Sequence, residues 1–158
     1  MPGFRRKILV GAPKGGADGE GFVRAGLEDD FHHFLVELGF QDGKVTSTKA
    51  WSPRHPYVTC PAAGLELQLL IGCEASLVPN NVFRQTDAGH QCTHLLDLAG
   101  LAIRAYAANA RQRVFDISVS DVQNGRQTAS LKQNGDLGLE WVVENGFIAA
   151  PADFENIH

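Results

Sequence analysis

The spacing of apolar residues changes twice along the chain, and the changes mark out its elements. Phe4 to Val10 reads as a short first strand, and Gly11 to Gly21 has the glycine-rich, charged composition of a loop. Phe22 to Phe40 reads as strand, broken near Glu28-Asp29-Asp30. In Phe31 to Leu38 a period of two puts His32, Phe34, Val36 and Leu38 on one face and Phe31, His33, Leu35 and Glu37 on the other. Asp42-Gly43 is a hairpin signal leading into a strand over Lys44 to Trp51. The prolines of Trp51 to Pro61 predict an irregular, stiff segment. Pro61 suits a first helical position, and Ala63 to Ile71 reads as a short helix stopped by Gly72. Glu74 to Thr86 reads as a loop.

The spacing then becomes helical. Leu95, Leu98, Ala99, Ala102, Ile103 and Tyr106 form one stripe, with Thr93, Asp97, Arg104 and Arg111 opposite, so a helix is expected over about 93–110. Beyond it Phe115, Ile117 and Val119 alternate with polar residues, and Leu137, Leu139, Trp141 and Val143 do so again. Asn124-Gly125 and Asn134-Gly135 mark turns, and Phe147 to Ala150 reads as a short edge strand. The pattern predicts an α+β fold: antiparallel sheet with two helices, the longer packed on the sheet by its apolar stripe.

Composition narrows the functional classes. With 158 residues and 44% hydrophobic content, the chain is expected to form a single domain over 1–158. Its formal charge of -4, from 14 basic and 18 acidic side chains, leaves no footprint for nucleic acid or an anionic membrane, so the expected partner is a small molecule. Three scattered cysteines, Cys60, Cys73 and Cys92, suit a reducing compartment, and cytoplasm is the expected location. Met1 to Val10 has no signal-peptide core, and no segment is apolar enough to span a membrane. The C-terminal edge strand offers a surface through which a second copy can pair, so a homodimer is compatible with the pattern.

Candidate chemistry centres on Gly89-His90-Gln91-Cys92-Thr93-His94, which places a thiol and two imidazoles at the expected helix start. A cysteine there is favoured as thiolate by the helix dipole, although a small buried hydrophobe is the common alternative. A helix already formed at Cys92 would turn Cys92 and His94 to different sides. With Thr93 as N-cap, Cys92 stays outside the helix and both side chains can face one pocket. His32, on the apolar face of its strand, is the second candidate imidazole and is expected to floor the same pocket. The loop after Trp51 brings Arg54, Tyr57 and Cys60 as wall residues, and Arg54 can take a substrate carboxylate or simply bond loop carbonyls. Gly11 and Gly16 have the separation of phosphate-loop glycines, but Ala17-Asp18 stand where Lys and Ser/Thr are needed, so no nucleotide site is expected. The glycines of Gly11 to Gly21 suggest a lid instead.

Several short pieces together resemble a bacterial family known as domain of unknown function 2889. They are Val23-Arg24-Ala25, Asp30-Phe31-His32-His33-Phe34, Arg54-His55-Pro56 with Thr59-Cys60-Pro61, and Cys92-Thr93-His94-Leu95, in that order between Val23 and Ala107. Members of that family carry glycine before the last cysteine, where this chain has Gln91. The resemblance implies an aromatic or acyl catabolic context and a small hydrophobic substrate.

Three functions are compatible with these residues. One is an enzyme without cofactor, of lyase, isomerase, hydratase or hydrolase type, with His32, His94 and Cys92 catalytic and Arg54, Tyr57, Cys60 and Trp51 binding substrate. Another is a binding or structural domain in which they pack and cap. The third is a metal-dependent enzyme using His and Cys ligands. It is disfavoured because Cys-x-His is not a usual zinc spacing and no Cys-x-x-Cys is present, so no metal is expected.

Overall fold

The computed structural model describes residues 3–15 and 20–151, which fall into two compact units, Ile8–Arg113 and Met1–Lys7 with Val114–His158. The strands are β1 (Phe4–Val10), β2 (Lys14–Gly15), β3 (Gly21–Asp29), β4 (His33–Gln41), β5 (Lys44–Arg54), β6 (Arg113–Val119), β7 (Arg126–Gln133), β8 (Asp136–Glu144) and β9 (Phe147–Pro151). The helices are α1 (Cys60–Ala63), α2 (Val82–Gln85) and α3 (Thr93–Ala107). This is the α+β architecture expected, with α3 as its one long helix. Among the described residues no helix is long and apolar enough to cross a membrane.

In the larger unit β3, β4 and β5 form an antiparallel meander. The period-two reading of β4 holds: Phe34, Val36, Leu38 and Phe40 are buried and meet Val23, Ala25 and Leu27 of β3. Register is also pinned on the other face, where Glu37 lies between Arg24 and Lys49 on its two neighbours. Lys49 donates to it at 2.9 Å and Arg24 at 2.7 Å. These cations, Lys49 foremost, hold the Glu37 carboxyl below its ordinary value against the opposing effect of partial burial.

Several elements differ from the sequence reading. The strand after Asp42-Gly43 runs on to Arg54 instead of ending at Trp51; Pro53 is tolerated because β5 is at the edge of the sheet. The expected helix over Ala63 to Ile71 is instead the short turn α1 followed by a 3-10 helix, Gly64–Leu70. Leu67 and Leu70 are its buried residues, and a spacing of three suits three residues per turn. The loop after Glu74 contains a 3-10 turn, Pro79–Asn81, and α2. Helix α3 stops at Ala107, and Asn109 follows with φ +44°. In the glycine-rich Gly11 to Gly21 segment Lys14 and Gly15 pair with Phe22 and Gly21, so part of the expected lid is strand; residues 16–19 lie outside the described residues.

Helix α3 supplies the second layer. Its buried side includes Leu95, Leu98, Ala99, Ala102 and Ile103, the expected stripe, and also Leu96, Gly100 and Ala105. It lies along β4. Tyr106 stacks on Phe40 with ring centroids 3.9 Å apart and planes at 6°, and His94 meets Phe34 at 5.9 Å. Twelve helical residues rise about 18 Å and six strand residues about 20 Å, so these two contacts are in step.

In the smaller unit β6 to β9 form the antiparallel meander expected from the alternation, turning at Asn124-Gly125, Asn134-Gly135 and Asn145-Gly146, all with positive φ. Among the described residues every buried apolar side chain belongs to the larger unit.

Gly100 shows how closely the helix is seated. A Cβ there would lie 2.6 Å from the Pro79 carbonyl oxygen, a backbone atom that cannot swing aside. On an exposed helix Gly→Ala gains about 1 kcal/mol. Here Gly100→Ala is expected to lose roughly 1–3 kcal/mol by overpacking, measured by urea unfolding. A stabilised variant would show that α3 is not seated on that turn.

Candidate active site

The β3–β4 connection is three residues long, and Asp29 organises it. Its Oδ1 accepts from the backbone N–H of Phe31 and of His32, each at 2.8 Å, and its own N–H donates to the His32 carbonyl at 2.9 Å. This is the local closure that aspartate favours in turns. The same oxygen lies 2.9 Å from His32 Nδ1, and Oδ2 lies 3.2 Å away. The Asp29 side chain is fully buried and that of His32 is 15% exposed.

These contacts fix the chemistry of His32. With the carboxylate ionised it can only accept, so this contact requires a hydrogen on Nδ1, and a neutral ring then carries its lone pair on Nε2. A base held by a third group is the arrangement that acid-base and nucleophilic sites share. Phe34 supports the ring edge-on at 5.2 Å, and the exposed Phe31 ring stands 6.5 Å away.

His94 arrives from the other layer. Cys92 is the N-cap of α3, one residue earlier than the Thr93 cap expected, and makes no side-chain cap bond. His94 is therefore the second residue of the helix, and its ring lies 4.3 Å from that of His32, centroid to centroid, with planes at 38°. Two imidazoles far apart in sequence thus share one place. Cys92 is partly exposed two positions before His94.

The remaining candidates are placed as follows. Arg54 pairs with His33, which pairs with Glu28, so the three stand abreast on neighbouring strands. The Arg54 guanidinium donates to Glu28 Oε1 at 2.9 Å and to the Asp29 carbonyl at 2.7 Å. It thus grips the turn that carries the Asp29-His32 pair. Trp51 pairs with Leu35, on the opposite sheet face from Phe34, and so does not join the imidazoles. Tyr57 is largely exposed, and Cys60 opens α1 with its N–H bonded to the Tyr57 carbonyl. His55 is bonded to the Ser52 carbonyl at 2.7 Å. Cys73 is buried in the core, where desolvation pushes its thiol up and makes it a poor nucleophile.

Sequence reasoning missed Asp29, which it took only as a strand breaker. The available signal was an aspartate three residues before a histidine across a turn, the spacing that lets one carboxylate bond both backbone and ring. Gln91 stands just before Cys92, where the resemblance leads to the expectation of glycine. Its side chain is buried, with Nε2 donating to the Glu66 carbonyl at 2.9 Å and to Thr86 Oγ1 at 3.0 Å. It ties the approach to α3 onto the 3-10 helix.

No group of three or more His, Cys, Asp and Glu side chains is arranged to hold a metal ion among the described residues. A cleft of about 540 Å³, lined in part by Ser120, Gln123, Arg126 and Glu144, lies among the turns of the smaller unit and does not include the imidazoles. In comparisons with known proteins, a family described as "Protein of unknown function (DUF2889)" matches residues 17–108, the span that contains Asp29, His32, Arg54, Cys92 and His94. No curated protein and no solved structure matches the chain.

Removing the Asp29 carboxylate leaves two backbone N–H groups and one ring N–H without their acceptor. Asp29→Ala is expected to cost about 2–3 kcal/mol in denaturant unfolding, and Asp29→Asn, which keeps an acceptor oxygen, clearly less. Stability equal to that of the unaltered protein in Asp29→Ala would mean that the turn is not held as described.

Proposed function

We propose that this chain, which belongs to the DUF2889 family, is an acid-base enzyme of lyase, isomerase, hydratase or hydrolase type that works without an organic cofactor. The observation that carries the reading is the buried Asp29 carboxylate 2.9 Å from His32 Nδ1, with the His94 ring 4.3 Å beyond. A structural histidine needs one satisfied nitrogen. Here the group that satisfies it is a buried carboxylate, which can also support the imidazolium formed when Nε2 takes a proton. In the proposed reaction His32 Nε2 removes a proton from the substrate and His94 donates one to the departing or newly formed group. Each ring then returns to its starting state by exchange with water.

The substrate is a small molecule with an apolar body. Phe31, Tyr57 and Val58 are exposed on the segments that carry or follow the site residues, and unpartnered aromatic and aliphatic side chains favour such a ligand. Arg54 acts as a positioning residue, since its guanidinium is already engaged by Glu28 and the Asp29 carbonyl. Cys92 is assigned no covalent role. It precedes His94 by two positions as the N-cap of α3, and its part in the proposed reaction is packing or a weak hydrogen bond.

Activity is to be sought on a panel of aromatic acids, acyl thioesters and aryl esters. His32→Ala and His94→Ala are each expected to lose at least about 100-fold in kcat/KM, the usual weight of a general acid or base. Cys92→Ser is expected to stay within about tenfold, because a hydroxyl of similar size replaces the thiol. Loss in Cys92→Ser as severe as in the histidine variants, with inactivation by iodoacetamide and protection by substrate, would replace acid-base with covalent catalysis. Full activity in both histidine variants would remove the proposed site.

A further inference from the structure

Helix α3 begins without the usual fastening. Its N-cap, Cys92, makes no side-chain bond to the first turn, and that turn carries no acidic residue to answer the helix dipole. Gln91 and Cys92 are both extended, with ψ of 150° and 118°, and link the 3-10 turn Ala88–His90 to the helix. Successive side chains of an extended link point to opposite sides. Cys92 accordingly stays partly exposed, while Gln91 is turned inward and is only 8% exposed. There its Nε2 donates to the Glu66 carbonyl, 25 residues away along the chain, and to Thr86 Oγ1. The link is thus tied both to the 3-10 helix Gly64–Leu70 and to the residue that follows α2.

For stability alone this amide is a poor choice. Its Oε1 is buried and has no hydrogen-bond partner among the described residues. A buried acceptor without a donor loses its hydration, which offsets much of what the two Nε2 bonds contribute. An apolar side chain of the same length would fill the space without that loss. What the amide adds is direction. Leu95 and Leu96 bury the inner side of the first turn, but apolar burial is non-directional, whereas two hydrogen bonds to fixed acceptors set the path of the link. We propose that Gln91 is a positioning residue: by fixing the link before α3 it aims the His94 ring at that of His32. The proposal rests on the acid-base reading of those two rings. Farther along the helix, Gly100 against the Pro79 carbonyl and Tyr106 on Phe40 set where α3 lies on the sheet. The end that carries His94 is aimed from outside, by the residue three positions before it. A displacement of about 1 Å at a reacting group costs on the order of 100-fold in rate, so a small loosening there is felt.

Gln91→Met tests the proposal, since it keeps the length and apolar stem of the side chain and removes both bonds together with the unpartnered oxygen. Proton cross-peaks between the His32 and His94 rings, whose centroids are 4.3 Å apart, read the positioning without any substrate. In Gln91→Met these cross-peaks are expected to be lost while those between Tyr106 and Phe40 persist, and the unfolding midpoint is expected to stay within about 3 °C of the unaltered protein. Thr86→Ala removes one of the two acceptors, so it is expected to weaken the same cross-peaks less and to add nothing to Gln91→Met. Imidazole cross-peaks unchanged in Gln91→Met, or a fall in midpoint that takes the Tyr106–Phe40 cross-peaks with it, would overturn the proposal and leave Gln91 a packing residue. Should Gln91→Met fail to fold, Thr86→Ala decides: weakened imidazole cross-peaks support the proposal and unchanged ones overturn it. On a compound that the unaltered protein turns over, kcat of Gln91→Met is expected to fall about tenfold with KM within about threefold. Full activity in the His32 and His94 variants would remove the acid-base reading, while the imidazole cross-peaks would still decide whether Gln91 aims His94.

Discussion

The arrangement of the larger unit depends on one packing contact, the seating of α3 along β4. The helix advances half as far per residue as the strand, and the two stay in step only because the aromatic contacts at the ends are spaced twelve residues apart on one and six on the other. Between those ends the buried side chains of α3 meet Phe34, Val36 and Leu38, and burying such a set contributes more than any polar contact in the unit. The consequence for chemistry is positional. With Tyr106 stacked on Phe40, the first turn of α3 ends over the β3–β4 connection, so His94 comes to rest beside His32.

The polar part of the site uses this rigidity without adding much to it. Asp29 has two tasks, closing the turn through two backbone N–H groups and holding the His32 ring. One carboxylate thereby sets the backbone conformation and the tautomer together. Arg54 adds a third tie from the adjacent strand, possible because β5 continues through Pro53 at the edge of the sheet. The result is an imidazole fixed by packing on one side and by hydrogen bonds on the other. Such preorganisation is what general acid-base work requires of a side chain.

The sequence was most informative where a single period governs burial. The alternation of Phe34, Val36 and Leu38 and the helical stripe from Leu95 to Ile103 gave both layers and their inward faces, because each follows from local geometry and the need to bury apolar surface. Turns with Asp42-Gly43, Asn124-Gly125 and Asn134-Gly135 were legible for the same reason: the positive φ they require is a property of those residue types. The sequence assigned His32 and His94 to one expected pocket on residue type and face alone; the distance at which the rings meet is a tertiary fact set by how far α3 travels along β4. Asp29 was hidden because its role depends on the three-residue turn that it itself creates. Trp51 pairs with Leu35, so strand pairing sets its side chain on the face opposite Phe34, a placement that depends on the register of β5 against β4.

The central claim is that Asp29 holds His32 with the hydrogen on Nδ1 and leaves Nε2 as the working base. Long-range proton–nitrogen correlation on the histidine rings of the unaltered protein at neutral pH reads this directly. The account predicts that neutral His32 is found as the Nδ1–H tautomer, opposite to the form that free histidine prefers, and that the signal changes in Asp29→Asn. A His32 ring carrying its hydrogen on Nε2, unchanged by Asp29→Asn, would contradict it.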